Sequence, residues 1–269
     1  MSLMLTSPSL QNTLSCVAAA GDIAMSYFHQ GAPTHAHIEM KDGGSPVSAA
    51  DTETNAFLHR HLSALWPNAA WLSEESVDDP IRLTSKDVLI VDPIDGTRAF
   101  IRGDPQWVIS IAMVSEGTPQ WGILHAPALN ETFIGIHGQG AFCNNAPIKV
   151  STHPELSQSR ISGPKPILHR LSEQHIDFKT EPKIPSLAYR MAKVAKGQIE
   201  AGLSSTNPHD WDIAAVDIIL REAGGILSDL WGRQLIYNLP FPQHGVVVGA
   251  TAHLHRELTM RLKMAHEFP

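Results

Sequence analysis

The sequence predicts an α/β (α+β) protein made of two packed halves, and three observations support this. Apolar residues recur at helical spacing in two early segments, 10–28 and 49–65. Short apolar segments separated by turns then follow one another between residues 107 and 143, as in an antiparallel meander. After residue 186, helical and strand-like segments alternate. A helix pair with an antiparallel sheet, followed by an alternating α/β half, is an arrangement in which packed layers bury one face of each element.

The two N-terminal helices have clear boundaries in the sequence. The first covers residues 10–28, and Gly31 ends its pattern. A polar, glycine-rich stretch separates it from the second helix, 49–65. We predict that the second helix starts at Ser48 with Asp51 in its first turn, because serine is a favoured N-cap and acidic side chains stabilise the first turn.

Six short strands are predicted before residue 150, and acidic residues follow the first two. The strand 71–73 ends at Glu74 and Glu75, and the strand 88–91 ends at Asp92. The other four strands form the meander and cover residues 107–114, 120–125, 131–137 and 141–143.

The second half begins with a segment that has no clear periodicity, 151–185. We interpret it as strand, loop and helix at the junction of two subdomains, 1–150 and 151–269. The most regular element beyond it is the helix 212–223, which two glycines stop. The remaining predicted elements are helices 186–196 and 253–265 and strands 198–203, 226–229 and 245–250.

The charge and composition of the chain exclude several classes of partner. The 269 residues include 27 acidic and 20 basic side chains, a net charge of −7, and no basic tract that would attract nucleic acid or an anionic membrane. No apolar run approaches the roughly 18 residues of a transmembrane helix, and no signal peptide is recognisable. Two cysteines, Cys16 and Cys143, are too few for a disulfide framework. We therefore expect a soluble, cytoplasmic protein that binds neither nucleic acid nor membrane.

Two carboxylates at the end of an apolar strand are the first indication of chemistry. Asp92 and Asp95 lie three residues apart directly after the strand 88–91. Their repulsion and loss of hydration require a compensating cation. No Lys or Arg occurs in this turn before Arg98, so a metal ion with oxygen ligands is one interpretation. The alternative is that Asp-Pro and Asp-Gly simply form a turn.

Two further acidic groups occupy comparable places. Glu74 and Glu75 follow a strand, and Asp212 begins a helix. Ends of strands and starts of helices are where layered α/β folds gather ligands. Each group also has a simpler interpretation, which is solvated loop charge for the glutamates and an N-cap for Asp212. Taken one at a time, the residues leave these alternatives open.

Taken together, the acidic segments resemble the signature motifs of the inositol monophosphatase family. The matching segments, in chain order, are Glu-Glu-Ser at 74–76, Asp-Pro-Ile-Asp-Gly-Thr…Phe at 92–100 and Trp-Asp-Ile-Ala-Ala…Glu-Ala-Gly-Gly at 211–225. The segment 41–51 is similar to the N-terminal signature of the family. The resemblance covers nearly the whole chain and is weakest over 151–185. It implies a sandwich of αβαβα layers, a homodimer, and a magnesium-dependent, lithium-sensitive phosphomonoesterase that acts on a small phosphorylated metabolite.

The resemblance also implies roles for individual residues. Two or three Mg²⁺ ions would be bound by Glu74, Asp92, the Ile94 carbonyl, Asp95 and Asp212. Thr97, positioned by Asp51, would act with Glu74 in activating the attacking water. The amides of Gly96 and Thr97 would hold phosphate oxygens at the start of a helix. Glu75 receives no role.

The substrate is less closely defined by the resemblance. Family members specific for inositol carry a glutamate seven residues before Asp212, where this chain has Ser205. The residues that we assign to substrate binding are Gly96, Thr97, Arg98, Ser205 and Asp212. Arg98, Arg102 and Lys41 are candidates for contacting a second phosphate. Inositol-phosphate phosphatase is the first hypothesis, 3′(2′),5′-bisphosphate nucleotidase the second and histidinol-phosphatase the third.

Two other classes of protein are alternatives to a phosphatase of this family. Phosphatases of the haloacid-dehalogenase type need two aspartates two residues apart, whereas Asp92 and Asp95 are three apart. A non-catalytic regulator on the same fold would have lost a metal ligand, whereas every matched ligand position is present. The sequence therefore favours a phosphatase of the inositol monophosphatase type over both alternatives.

Overall fold

A computed structural model describes residues 7–41, 44–153 and 155–264 of the protein. Its α-helices are α1 (Pro8–Tyr27), α2 (Ala49–Leu65), α3 (Thr97–Ile101), α4 (Lys165–Ser172), α5 (Leu187–Ala195), α6 (Asp210–Glu222) and α7 (Ala252–Met264). Its longer strands are β3 (Ala70–Ser73), β4 (Asp87–Asp95), β5 (Val108–Ser115), β6 (Thr118–Ala126), β7 (Glu131–Ile136), β8 (Gly140–Cys143), β13 (Gly225–Asp229) and β14 (Val247–Thr251). The shorter ones are β1 (Ile38–Met40), β2 (Pro46–Ser48), β9 (Ala146–Pro147), β10 (Arg160–Ser162), β11 (Lys179–Thr180) and β12 (Ala201–Leu203). Short 3₁₀ helices cover Pro80–Thr84 and Pro127–Leu129.

Two sheets organise the strands. The first has the order β3-β4-β5-β6-β7-β8-β9 and is antiparallel except for the parallel pair β3 and β4. The second has the order β11-β10-β12-β14-β13, with parallel pairing of β10 to β11 and β12 and antiparallel pairing elsewhere. A separate hairpin pairs β1 with β2. The N-terminal sheet is thus a meander, as predicted, and the C-terminal sheet is mixed.

The helices form three layers around the two sheets. Helices α1 and α2 bury side chains such as Val17 and Leu58 against one face of the first sheet. Helices α5 and α6 lie between the sheets, where Ala192 and Ile219 share a core with strands of both. Helices α4 and α7 cover the outer face of the second sheet, with Leu258 in that core. The predicted αβαβα sandwich is confirmed.

Close packing fixes the position of α6 on the first sheet. Gly122 on β6 lies so near the helix that a Cβ atom built there would be 2.3 Å from the Ala215 carbonyl oxygen. A Cβ atom at Gly135 on β7 would be 2.6 Å from the Ile219 Cα atom. Because only glycine permits this approach, the two strands set the height of α6 above the sheet.

Several predicted boundaries hold. Helix α2 begins after Ser48, whose backbone N–H donates to Asp51 Oδ2 at 2.8 Å in a capping box. The predicted start of α6 at Asp212 was wrong. The helix begins at Asp210, so Asp212 is the third residue of its first turn and not its N-cap. The predicted end of the last helix, Ala265, lies outside the described residues.

Other predictions were wrong. The strand expected at 88–91 runs on to Asp95 as β4, with an irregular pairing to β5 between Asp92 and Asp95. The segment 151–185 contains β10, α4 and β11, in the order strand, helix, strand. The hairpin of β1 and β2 was not predicted, because β1 is three exposed residues without alternation.

Among the described residues, no helix is both long and apolar enough to cross a membrane.

Candidate active site

Three carboxylates from distant parts of the chain meet at one point. Oxygens of Asp92, Asp95 and Asp212 all lie within 4.8 Å of one another. The first two come from the end of β4, and Asp212 comes from the first turn of α6. Glu74, directly after β3, lines the same cavity, which has a volume of about 480 Å³.

The irregular end of β4 aims both of its carboxylates at the cavity. Asp92 is paired with Ser110 and Asp95 with Val108, so two residues of β4 oppose one residue of β5. This is the geometry of a β-bulge, which bends a strand and redirects its side chains. The Ile94 amide donates to Asp92 Oδ1 at 2.9 Å, which orients that carboxylate.

Asp95 is held by the start of α5, 91 residues further along the chain. Ser186 Oγ donates to Asp95 Oδ2 at 2.5 Å, and the amide of Ala188 donates to the same oxygen at 2.7 Å. A longer contact of 3.4 Å joins the Leu187 amide to Asp95 Oδ1. Burial raises the pKa of Asp95 to about 6, although these hydrogen bonds favour the charged form.

Asp92 and Asp212 are unfavourable sites for negative charge without a cation. Burial, and then the charge of neighbouring carboxylates, raises the pKa of both well above its ordinary value. Asp212 Oδ2 also accepts a hydrogen bond of 2.7 Å from the His209 amide, which fixes its direction. A compact group of buried or half-buried carboxylates with raised pKa values fits a hard divalent ion, whose positive charge removes the repulsion.

Glu74 and Glu75 share one lysine. Lys41 Nζ lies 2.9 Å from Glu74 Oε1 and 2.7 Å from Glu75 Oε1. Only Glu74 lines the cavity. Glu75 is buried, and this burial raises its pKa to about 7 despite the lysine. The structure therefore brings Glu74 to the acidic group and places Glu75 behind it, in contact with Lys41.

Thr97 and Asp51 are also in contact. Thr97 Oγ1 lies 3.1 Å from Asp51 Oδ1 and 3.1 Å from the Ile94 carbonyl oxygen, and the hydroxyl has one proton to donate. Asp51 Oδ2 accepts from the amide and hydroxyl of Ser48 at 2.8 and 2.6 Å. Burial raises the pKa of Asp51. The threonine hydroxyl is thus fixed as a donor to the protein, which leaves its lone pairs for a donor in the cavity.

A glycine and a short helix form the next part of the cavity wall. Gly96 has φ of +100°, a conformation that favours glycine, and it precedes α3 as its N-cap. Arg98 on α3 and Arg102 directly after it line the cavity, together with Lys183 from the loop before α5. The cavity is therefore lined both by the acidic cluster and by three cationic side chains.

Not every residue predicted for the site lies in it. Ser205 is exposed and is not among the residues that line the cavity. Lys183 and Ser186 belong to the site but were not predicted, since the segment around them carries no motif. The only signal for Ser186 was its place as the first residue of the predicted helix 186–196, and in the structure it is the N-cap of α5.

Comparisons with known proteins agree with the geometry. The model of the inositol monophosphatase family matches residues 8–266. The chain is 32% identical over 236 residues to a histidinol-phosphatase of Chlorobaculum parvum, covering 85% of this chain and 88% of that protein. It is 28% identical to inositol monophosphatase 3 of Solanum lycopersicum over 238 residues, covering 84% and 89%. The 3′(2′),5′-bisphosphate nucleotidase CysQ of Aggregatibacter actinomycetemcomitans is 29% identical over 248 residues, covering 87% and 89%.

A solved structure extends this likeness to the fold. The extragenic suppressor protein suhB of Bartonella henselae superimposes with a TM-score of 0.82 at 26% identity, covering 96% of this chain and 99% of that one. The family match spans both sheets and every acidic segment described above. The chain belongs to the inositol monophosphatase family.

Proposed function

We propose that this protein is a Mg²⁺-dependent phosphomonoesterase that hydrolyses a small phosphorylated metabolite. The observation that carries the proposal is the meeting of three carboxylates, from Asp92, Asp95 and Asp212, within 4.8 Å. Two or three Mg²⁺ ions would be held by Glu74, Asp92, the Ile94 carbonyl, Asp95 and Asp212. The relatives named above are phosphatases, which confirms the predicted class of enzyme at the level of the family.

The cation and the protein groups supply different parts of the chemistry. When bound, divalent ions neutralise phosphate charge and favour the ionisation of water at neutral pH. Thr97, whose proton is held by Asp51 or by the Ile94 carbonyl, accepts a hydrogen bond from the attacking water and so orients it. Glu74 is the nearby carboxylate that takes up the proton of that water. The amides of Gly96 and Thr97, where α3 starts, hold phosphate oxygens.

The first substrate hypothesis remains an inositol monophosphate, because the set of motifs as a whole matches that family. The test is release of inorganic phosphate from inositol 1-phosphate, adenosine 3′,5′-bisphosphate and histidinol phosphate, each with Mg²⁺ and with or without Li⁺. We expect inositol 1-phosphate to be hydrolysed fastest and Li⁺ to inhibit. A higher kcat/KM for either other compound would replace the first hypothesis. No release from any compound at saturating Mg²⁺ would favour the non-catalytic regulator.

A second candidate substrate, a bisphosphate nucleotide, is favoured by the cations on the cavity wall. Arg98, Arg102 and Lys183 line the cavity, and within the described part of the chain none of them forms a salt bridge. Cations of this kind attract a second anionic group and repel the ammonium group of histidinol phosphate.

A matched pair of substrates isolates this effect. Adenosine 3′,5′-bisphosphate and adenosine 3′-monophosphate differ only in the second phosphate. We expect Lys183→Gln and Arg98→Gln to lower kcat/KM for the bisphosphate by about tenfold each and to leave the monophosphate nearly unchanged, since a contact with a charged group contributes about 1.5–3 kcal/mol. An equal loss for both substrates would refute a second-phosphate site.

The assembly and location of the protein are further proposals. By its resemblance to the family, we propose a cytoplasmic homodimer. We also propose subdomains 1–150 and 151–269, a division supported by the end of the first sheet at Pro147 and the start of the second at Arg160. Light scattering of the purified protein tests the dimer, and expression of the two halves tests the division.

A further inference from the structure

A fully buried arginine lies between the segments that carry the acidic ligands. Arg82 is 1% exposed and belongs to the connection from β3 to β4, eight residues after Glu74 and ten before Asp92. Its guanidinium forms a bidentate pair with Asp78, with Nε 2.5 Å from Oδ1 and Nη2 2.8 Å from Oδ2. The hydrogen bond to Arg82 lowers the pKa of Asp78, so this pair is ionised. Among the described residues, Asp78 is the carboxylate that pairs with Arg82 and balances its buried charge.

The remaining nitrogen of the guanidinium binds the loop between β13 and β14. Arg82 Nη1 donates to Asn238 Oδ1 at 2.8 Å and to the Leu239 carbonyl at 3.0 Å. Asn238 Nδ2 donates back to the Arg82 carbonyl at 2.9 Å. These bonds join residues more than 150 positions apart, and they are not needed to neutralise the arginine. Their effect is to fix the position of the loop.

The same loop holds the first turn of α6. The backbone N–H of Asn238 donates to Asp210 Oδ2 at 2.7 Å, and His244 Nε2 lies 2.7 Å from Asp210 Oδ1. The Asp210 amide donates to the Pro242 carbonyl at 3.0 Å. Asp210 is 1% exposed and stands two residues before Asp212. A continuous series of hydrogen bonds thus runs from the β3–β4 connection to the turn that carries Asp212.

We propose that Arg82 is a positioning residue for metal binding. It holds the β13–β14 loop against the start of α6 and thereby keeps Asp212 in register with the carboxylates of β4. The inference rests on the proposed function, because it takes the acidic cluster to be a metal site. Partners beyond the direct ligands matter to such sites, since their loss costs about 10–100-fold in metal affinity or activity.

Calorimetric titration of the substrate-free protein with Mg²⁺ tests this directly. We expect Arg82→Met to weaken Mg²⁺ binding by about tenfold and Arg82→Lys by less, because lysine keeps the charge but cannot bind Asp78 and Asn238 together. In phosphate-release assays the half-saturating Mg²⁺ concentration should rise in parallel. The rate at saturating Mg²⁺ should change much less, because the ligands themselves are intact.

Two further variants separate positioning from general stability. Asn238→Gly removes the side chain that Arg82 binds but permits the φ of +60° found there, so it tests the same contact if Arg82→Met does not fold. Arg160→Met is the control, because Arg160 on β10 pairs bidentately with the buried Glu200, and neither residue lines the cavity that holds the acidic cluster. Wild-type Mg²⁺ affinity in Asn238→Gly and Arg82→Lys, or an equal loss in Arg160→Met, would overturn the inference. Absence of Mg²⁺ binding by the wild type would instead refute the proposed function.

Discussion

Replacing Asp95 with asparagine separates the energetic cost of a buried carboxylate charge from the proposed use of that carboxylate as a metal ligand. Asp95 is 7% exposed, and burial raises its pKa from 3.8 to about 6. Without metal, the folded protein therefore binds a proton on this carboxyl more tightly than the unfolded chain does. The stability linked to that proton is complete below the unfolded pKa of 3.8 and is lost as the pH rises through about 6.

The magnitude follows from the size of the shift. One pKa unit corresponds to about 1.4 kcal/mol, so a rise from 3.8 to about 6 destabilises the metal-free protein by about 3 kcal/mol at neutral pH. Asparagine has nearly the shape of the protonated carboxyl and carries no charge. As the pH rises from about 4.5 to about 7.5, the free energy of unfolding of Asp95→Asn should therefore increase by about 2 kcal/mol relative to that of wild type.

Urea unfolding in a chelator, followed by circular dichroism at both pH values, measures this difference. Any hydrogen bond that asparagine cannot make is lost equally at both pH values and cancels. Saturating Mg²⁺ at neutral pH should then reverse the order, because a ligand that binds the folded state stabilises only the protein that binds it. A pH-independent difference in the chelator, or equal stabilisation of both proteins by Mg²⁺, would refute the reasoning.

The remaining predictions concern the proposed role of the Thr97 hydroxyl in orienting water and the packing of α6 on the first sheet. Thr97→Ala should lower kcat for phosphate release by about 100-fold or more, while Thr97→Ser, which keeps the hydroxyl beside Asp51, should retain most activity; similar rates for the two variants would remove Thr97 from the chemistry. Gly122→Ala should destabilise the fold by about 1–3 kcal/mol in thermal unfolding, because its methyl group would meet the Ala215 carbonyl. Gly245→Ala, where nothing lies within 4 Å of the new Cβ atom, is the control and should unfold like the wild type.

Local patterns in the sequence were enough to place most elements. The bounds of α2 follow from the helical spacing of its apolar residues and from the capping pair Ser48 and Asp51. The apolar run of β4 was recognised for the same reason, and the motif that follows it pointed to the acidic cluster. What local pattern could not show was that β4 continues through a bulge to Asp95, because the bulge is defined by pairing with β5.

Contacts between residues far apart in the chain could not be predicted from the sequence. Ser186 donates to Asp95 across 91 residues, and Arg82 reaches Asn238 across 156. Neither pair has a spacing or a local motif that would connect its members. Lys183 could not be predicted either, because it lines the cavity only through the path of the short connection between β11 and α5. The residues that position the candidate site thus depend on the tertiary fold, whereas the candidate ligands stand in local motifs.

The proposed metal site is tested most directly by phosphate release as a function of Mg²⁺ concentration. Wild type and Asp95→Asn are measured side by side on the best substrate of the panel. We predict saturable, Mg²⁺-dependent release by the wild type, none in excess chelator, and none from Asp95→Asn at any Mg²⁺ concentration while its fold remains intact by circular dichroism. Release that persists in the chelator, or wild-type rates in Asp95→Asn, would contradict the assignment of the acidic cluster as the catalytic metal site.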